Sequence, residues 1–265
     1  MSKTNLDKIK ERLQNLKEPK KNRNNQDNGL AVFWKPPQPK KGETLEHQIR
    51  LVPAKSGDPL HEYWSHYDMG VFGFLSPFKN FNVKDDPIQA LLNQLWNEWR
   101  NSDDEDEKAD YRAQIKKLTA KQRFYALVLV RGEEDKGVRI WTFGKEAYNQ
   151  ILNGFLDPDY GDLADPDVGY DLKLTVTKDA DYPKTDVKIK PKPSKLGTKE
   201  QVKEWLEKAP DIETEIFRNG RKTADQIQAI LDNFIEPPSD AEKGRTSSKR
   251  DSVDVDLDEL TGTDN

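Results

Sequence analysis

Flat rings and cations crowd a stretch that otherwise reads as two apolar strands. Arg123, Phe124, Tyr125, Arg139, Trp141 and Lys145 surround Val128, Leu129 and Val130, and Lys121 lies just ahead of them. These residue types suit a chemistry in which no bond is broken. Unpaired bases stack on Phe, Tyr or Trp for about 1–3 kcal/mol each, while Lys and Arg track the phosphates of a flexible strand. The same rings could instead fill a small barrel and leave the cations in water. Alternation does not decide between the two, because both faces of residues 123–131 carry apolar side chains.

A second cluster, Asp157, Asp159, Asp162, Asp165 and Asp167, has the carboxylates with which a nuclease would hold magnesium. Pro158, Gly161 and Pro166 interrupt it and make it a loop, whereas catalytic carboxylates belong on rigid elements. As a calcium loop it also fails, with Gly161 one residue early and Val168 in place of the bidentate Glu. No phosphate-cradling Walker loop, nucleophile elbow or dinucleotide fingerprint is present, so ATP hydrolysis and redox chemistry have no support. The chain has no cysteine, which removes disulfides, thiolate nucleophiles and cysteine-held zinc, and fits a reducing cytoplasm. No apolar run approaches the roughly 20 residues of a membrane span, and no apolar signal core opens the chain. The expectation is a non-enzymatic protein that is soluble and unexported, with no membrane partner.

Charge is unevenly spread. The net charge is −5, yet residues 1–25 hold eight basic residues against three acidic ones, a net of +5. Residues 251–265 hold six acidic residues and no basic one, a net of −6. A basic head and an acidic tail on one chain imply a polyanionic ligand and a segment that imitates it.

The elements that must position these groups follow from local patterns. Leu6, Ile9, Leu13 and Leu16 give the basic arm 1–25 one narrow helical stripe, too short to stand alone. Residues 26–42 read as a linker. "HQIRLVPAK" (47–55) is a strand, and "WSHYDMGVFGFLSPFKNF" (64–81) is aromatic and suits strands and tight turns. Asp86-Pro87 caps a helix carrying Ile88, Leu91, Leu92, Leu95, Trp96 and Trp99, and a second helical stretch lies near Ile115 and Leu118. The ring-and-cation hairpin turns around Gly132 and Gly137, residues 145–155 are helical, 157–171 form a loop, and 172–190 hold two more strands. Thr198 with Gln201, and Thr223 with Gln226, mark capping boxes of two C-terminal helices within 191–238. Residues 239–265 are polar and expected to be disordered. The fold class expected is α+β: an OB-fold-like β-barrel core over 43–190 with helical insertions, a basic arm helix before it and an acidic tail after it.

Read whole, residues 1–190 and the character of the tail resemble the single-stranded DNA-binding, helix-destabilising proteins of T-even-type bacteriophages. "IRLVPAK" (49–55) is similar to the family's Ile-Arg-Phe-Leu-Pro-Ser-Lys strand, and "FYALVLV" (124–130) to its Tyr-Trp-Ala-Asn-Ile-Leu-Val segment. "GVRIWTFGKEAYNQI" (137–151) and "LKLTV" (172–176) with Tyr182 follow in the family's order. The resemblance implies cooperative, sequence-independent coating of single-stranded DNA in phage replication, recombination and repair, in the cytoplasm of the infected bacterial host. It places Arg50, Lys121, Arg123, Phe124, Tyr125, Trp141 and Tyr182 on DNA, beside Arg139 and Lys145 of the hairpin. It also makes the arm a contact to neighbouring copies, here through Lys3, Lys8, Lys10 and Arg12, and the "DSVDVDLDEL" tail a recruiter of replication and recombination proteins. The chain departs from the family at its zinc site of one His and three Cys. His66 stands where that His falls, "DDPIQ" (85–89) where two of the Cys fall, and no cysteine exists, so no metal or cofactor is expected. The main alternative is a protein-recruitment adaptor without DNA affinity.

Overall fold

The computed structural model describes residues 32–178 and 183–235. Within them the strands are β1 (Phe33–Trp34), β2 (Thr44–Leu51), β3 (His61–His66), β4 (Phe74–Leu75), β5 (Lys121–Val130), β6 (Arg139–Phe143), β7 (Tyr170–Thr177) and β8 (Lys184–Pro193). The helices are α1 (Pro77–Phe81), α2 (Pro87–Asn101), α3 (Glu105–Leu118), α4 (Lys145–Leu156), α5 (Lys199–Lys208), α6 (Ile212–Gly220) and α7 (Ala224–Ile235). The mixed α+β class is therefore as expected.

One sheet runs β1-β6-β5-β2-β7-β8, and β3 joins it on β5 and carries β4. β5 organises it. Its first five residues pair with β3 (Lys121 opposite Ser65, Tyr125 opposite His61), and its last three pair with β2 (Val128 opposite Leu51). Both partners share one edge, and β6 holds the other through Phe124↔Phe143 to Val128↔Arg139. The hairpin turns where Gly132 and Gly137 take positive φ, which side chains resist.

Residues 124–130 of β5 are buried on both faces. Phe124, Ala126, Val128 and Val130 enter one core with Ile49 and Leu51 of β2, Trp141 of β6, Ile151 of α4, Leu172 of β7 and Val187 of β8. Tyr125, Leu127 and Leu129 enter another with Ile140, Leu196, and Ile212 and Ile216 of α6. A third core joins α2, α3 and α7 through Leu92, Leu95, Ile115, Leu118, Ile227 and Leu231. The C-terminal helices are thus part of the folded body: α6 covers the outer face of the sheet, and α7 seals the helical layer. α4 lies tight on β8 because Gly154 has no Cβ, which would meet Ile189.

Local chemistry explains the helix ends. The Asp86 side chain accepts from the N–H groups of Ile88 and Gln89, with Pro87 in the first turn of α2. The expected capping boxes form at Thr198/Gln201 and Thr223/Gln226. Two features differ from the sequence reading. α6 is a third C-terminal helix, capped by Asp211 accepting from Thr214 N–H. Within the segment 26–42, read as a linker, Phe33 and Trp34 pair parallel with Ile140 and Trp141, and Trp34 is buried.

Trp141 is 1% exposed, its ring 4.3 Å from Phe143 and 6.3 Å from Trp34. Trp141→Ala should lower stability by about 3–5 kcal/mol in thermal or denaturant unfolding; a change of a few tenths would show that this ring does not hold the core.

Candidate nucleic-acid interface

Several residues expected on DNA are structural. Phe124 (1% exposed) stacks on Tyr148 at 3.9 Å and on Phe143, while Tyr125 and Trp141 are also sealed in. Offering these rings to bases would open the core, so the expectation of exposed platforms at these three positions is corrected. Arg139 is nearly buried and donates to Glu133 Oε2 at 2.6 Å.

Arg50 is fully buried on β2. It donates to the carbonyls of Leu163, Asp165, Tyr170 and Ser194. Desolvation lowers its pKa to about 10, with Asp171 opposing the shift. The guanidinium clamps the 157–169 loop against the sheet and has no donor aimed at a phosphate outside. The loop's own carboxylates cap turns: Asp157 accepts from Asp159 N–H, Asp162 from Ala164 N–H, and Asp165 from Asp167 and Val168 N–H. Three of the five carboxylates the nuclease alternative relied on are thus engaged in turns, each through one oxygen. Tyr182, Lys3, Lys8, Lys10, Arg12 and the acidic tail lie outside the described residues.

The remaining candidates converge. Lys121 and Lys145 are exposed and Arg123 is half-buried, and all three lie at the end of the sheet where β5 begins and β6 ends. The pairing of β3 with β5 brings Tyr63 opposite Arg123 and Trp64 opposite Gln122. Arg123 lies 5.4 Å from the Tyr67 ring, and Lys79 of α1 lies 5.5 Å from Trp64 and 6.0 Å from Phe78. Asn80 holds α1 there by bonding both the N–H and C=O of Trp64. Half-buried Tyr148 and the 69%-exposed Phe72 add rings around this end. A row of rings then leads away along the outer face, Tyr125–Tyr63–Phe217–Phe81, with centroids 5.4–5.9 Å apart and Arg221 5.0 Å from Phe81. Burial raises the pKa of Tyr63, with Glu213 and then Asp211 adding to the rise, and these two carboxylates make that direction acidic. Glu62, bonded by Gln122, and Glu146, 3.9 Å from Lys184, are carboxylates on the elements that form the cationic end.

Cations seated over partly open rings can meet phosphates and base faces together. Lys79, Trp64, Tyr67, Phe78 and Phe72 were not singled out from the sequence. The aromatic density of residues 64–81 was the signal that could have found them.

The family's zinc can be tested against this chain's donors. His66 is 3% exposed; its Nδ1–H donates to the Leu118 carbonyl at 2.9 Å, which leaves a buried Nε2 lone pair without a partner. That is how a ligand imidazole is held. The other donors are missing, since Asp86, at the position of the cysteines, is buried and bonded to the N–H groups of Phe78, Ile88 and Gln89. Among the described residues no three His, Cys, Asp or Glu groups assemble as ligands. The residues present do not fit a four-ligand zinc. Asp86 instead ties α1 to α2 directly, and His66 ties β3 to α3.

Desolvation lowers the pKa of His66, opposed by its bond to Leu118 and by Asp86. The unfolded chain therefore binds this proton more readily, so the contribution is present above about pH 6.5 and is lost as pH falls through the lowered value. Melting temperature should fall over that window and be unmoved by a chelator. His66→Gln should flatten the pH dependence; an unchanged slope in that variant would refute this assignment.

A family model described as gp32 DNA binding protein like matches residues 46–235, which span β2 to the end of α7. No curated protein matches the chain. The match includes the sheet from β2 to β8, the cationic end and all three C-terminal helices, and the chain belongs to the gp32-like DNA-binding protein family.

Proposed function

We propose that the protein binds single-stranded DNA without catalysis or sequence preference, at the sheet end formed by Lys121, Arg123 and Lys145 with Lys79, Trp64, Tyr67, Phe78 and Phe72. The observation that carries this is the seating of exposed Lys79 and half-buried Arg123 over partly open rings, beside exposed Lys121 and Lys145, in a gp32-like chain. The sheet is read as a distorted OB-type barrel, because the inward faces of β2, β5, β6, β7 and β8 feed one core capped by α4. Tyr182 would add a ring from the β7–β8 loop. Cooperativity through residues 1–25, with Lys3, Lys8, Lys10 and Arg12 on the neighbouring copy, follows from the phage-family resemblance. So do a role in phage replication, recombination and repair, a bacterial-host cytoplasm, and an acidic tail that meets replisome proteins. No helix among the described residues is long and apolar enough to cross a membrane.

Tyr67→Ala should weaken oligothymidine binding by about 1–3 kcal/mol in a fluorescence titration, and Lys121→Gln with Arg123→Gln should flatten the log–log salt dependence by about 0.7 per lost phosphate contact. Unaltered affinity and slope in both variants would reject this surface.

Deleting residues 1–17 should reduce binding to long strands far more than to a short oligomer. An equal loss on both would refute the arm's role in cooperativity.

A further inference from the structure

The outer face of the sheet carries a second cationic group that the proposed interface leaves unused. On neighbouring strands Gln48 of β2 stands opposite Lys173 of β7, and Lys173 stands opposite Lys188 of β8. Lys190 reaches the same row, its Nζ 2.9 Å from Gln48 Oε1. Two like charges directly opposite on one face destabilise a sheet, so the Lys173–Lys188 pair costs the fold unless counter-charges meet both lysines. Glu46 bonds Lys173 at 2.7 Å, and Asp171 is taken by Arg131 at 2.9 Å. Lys188, Lys192 and Lys195 have no ion-pair partner among the described residues, and all three are exposed in a chain of net charge −5. Lysines on an edge strand also discourage strand pairing between molecules. That bears on β8, and Glu46 accounts for Lys173 on the interior strand β7, which leaves Lys188 as the member of the opposed pair without a counter-charge among the described residues.

We propose that Lys173, Lys188 and Lys190 form a second phosphate-binding surface that holds the backbone of the same polynucleotide beyond the ring-bearing end. The proposal rests on the single-stranded DNA reading above and extends its footprint. The row is level with Arg131, whose N–H donates to the Gln48 carbonyl, at the far end of β5 from Lys121. Ten residues of strand separate the two surfaces, about 34 Å at roughly 3.4 Å per residue. α6 covers the apolar face between them. Rings are absent from the row, so it takes phosphates and leaves bases free. A short oligomer at the ring-bearing end would not reach it, whereas a longer one would.

The test titrates two oligothymidines, of about 6 and about 25 nucleotides, into the full chain and into the Lys173→Gln/Lys188→Gln/Lys190→Gln variant across a salt series. The expected result is unchanged affinity for the short oligomer and, for the long one, a log–log salt slope shallower by about 2, or about 0.7 per phosphate contact. Lys188→Gln alone, which removes no ion pair seen among the described residues, should remove about 0.7 of that slope. Unchanged slopes, or equal losses on both lengths, would overturn the second surface. Tighter binding by the variant would also overturn it, and would assign the lysines to the chain's own acidic segment 251–264. Failure of the unsubstituted chain to bind either oligomer would instead reject the single-stranded DNA reading on which this one rests.

Discussion

The double burial of β5 is the constraint on which the molecule depends. Successive side chains of a strand point to opposite faces, so one strand can serve two cores only if all its residues are apolar. Residues 124–130 meet that condition, with even positions in the inner core and odd positions in the outer one. Before residue 124 it stops applying, and on the same strand Gln122 and Arg123 are half-buried and Lys121 is exposed. The boundary between core and cationic surface is therefore a point along one strand, and β3, α1 and α4 gather around that point.

That division also explains what could be read from the sequence. The caps at Asp86, Thr198 and Thr223 depend on residues two or three apart, and the hairpin on two glycines, so local chemistry was enough to place them. The facing of Phe124, Tyr125 and Trp141 was not local. A strand buried on both sides shows no alternation, and only the presence of α6 on one face and α4 on the other fixes where each ring goes. Trp34 was hidden for the same reason, since the partner that buries it lies more than a hundred residues away at Trp141. Arg50 appeared as a strand cation because nothing nearby in sequence shows the four carbonyls that surround it.

The candidate site was half legible. Lys121, Arg123 and Lys145 lie at one end of the hairpin, but the rings seated near cations there, Tyr67 by Arg123 and Trp64 by Lys79, come from residues 64–81 rather than from the hairpin. Trp64 meets Lys79 fifteen residues on, but Tyr67 meets Arg123 more than fifty residues on, and that second pairing depends on β3 lying beside β5 rather than on sequence order. The position of the family's cysteines is a comparable case. A buried carboxylate that satisfies three backbone donors, Phe78, Ile88 and Gln89, makes the link between segments that a metal would otherwise make, and it does so with hydrogen bonds alone.

The short parallel strand β1 fixes polarity as well as packing. Because Phe33 and Trp34 run in the same direction as Ile140 and Trp141, Val32 lies level with Arg139, away from the end where Lys121 and Lys145 converge. The described body therefore has a direction, with its first strand entering at one end and its cations collected at the other.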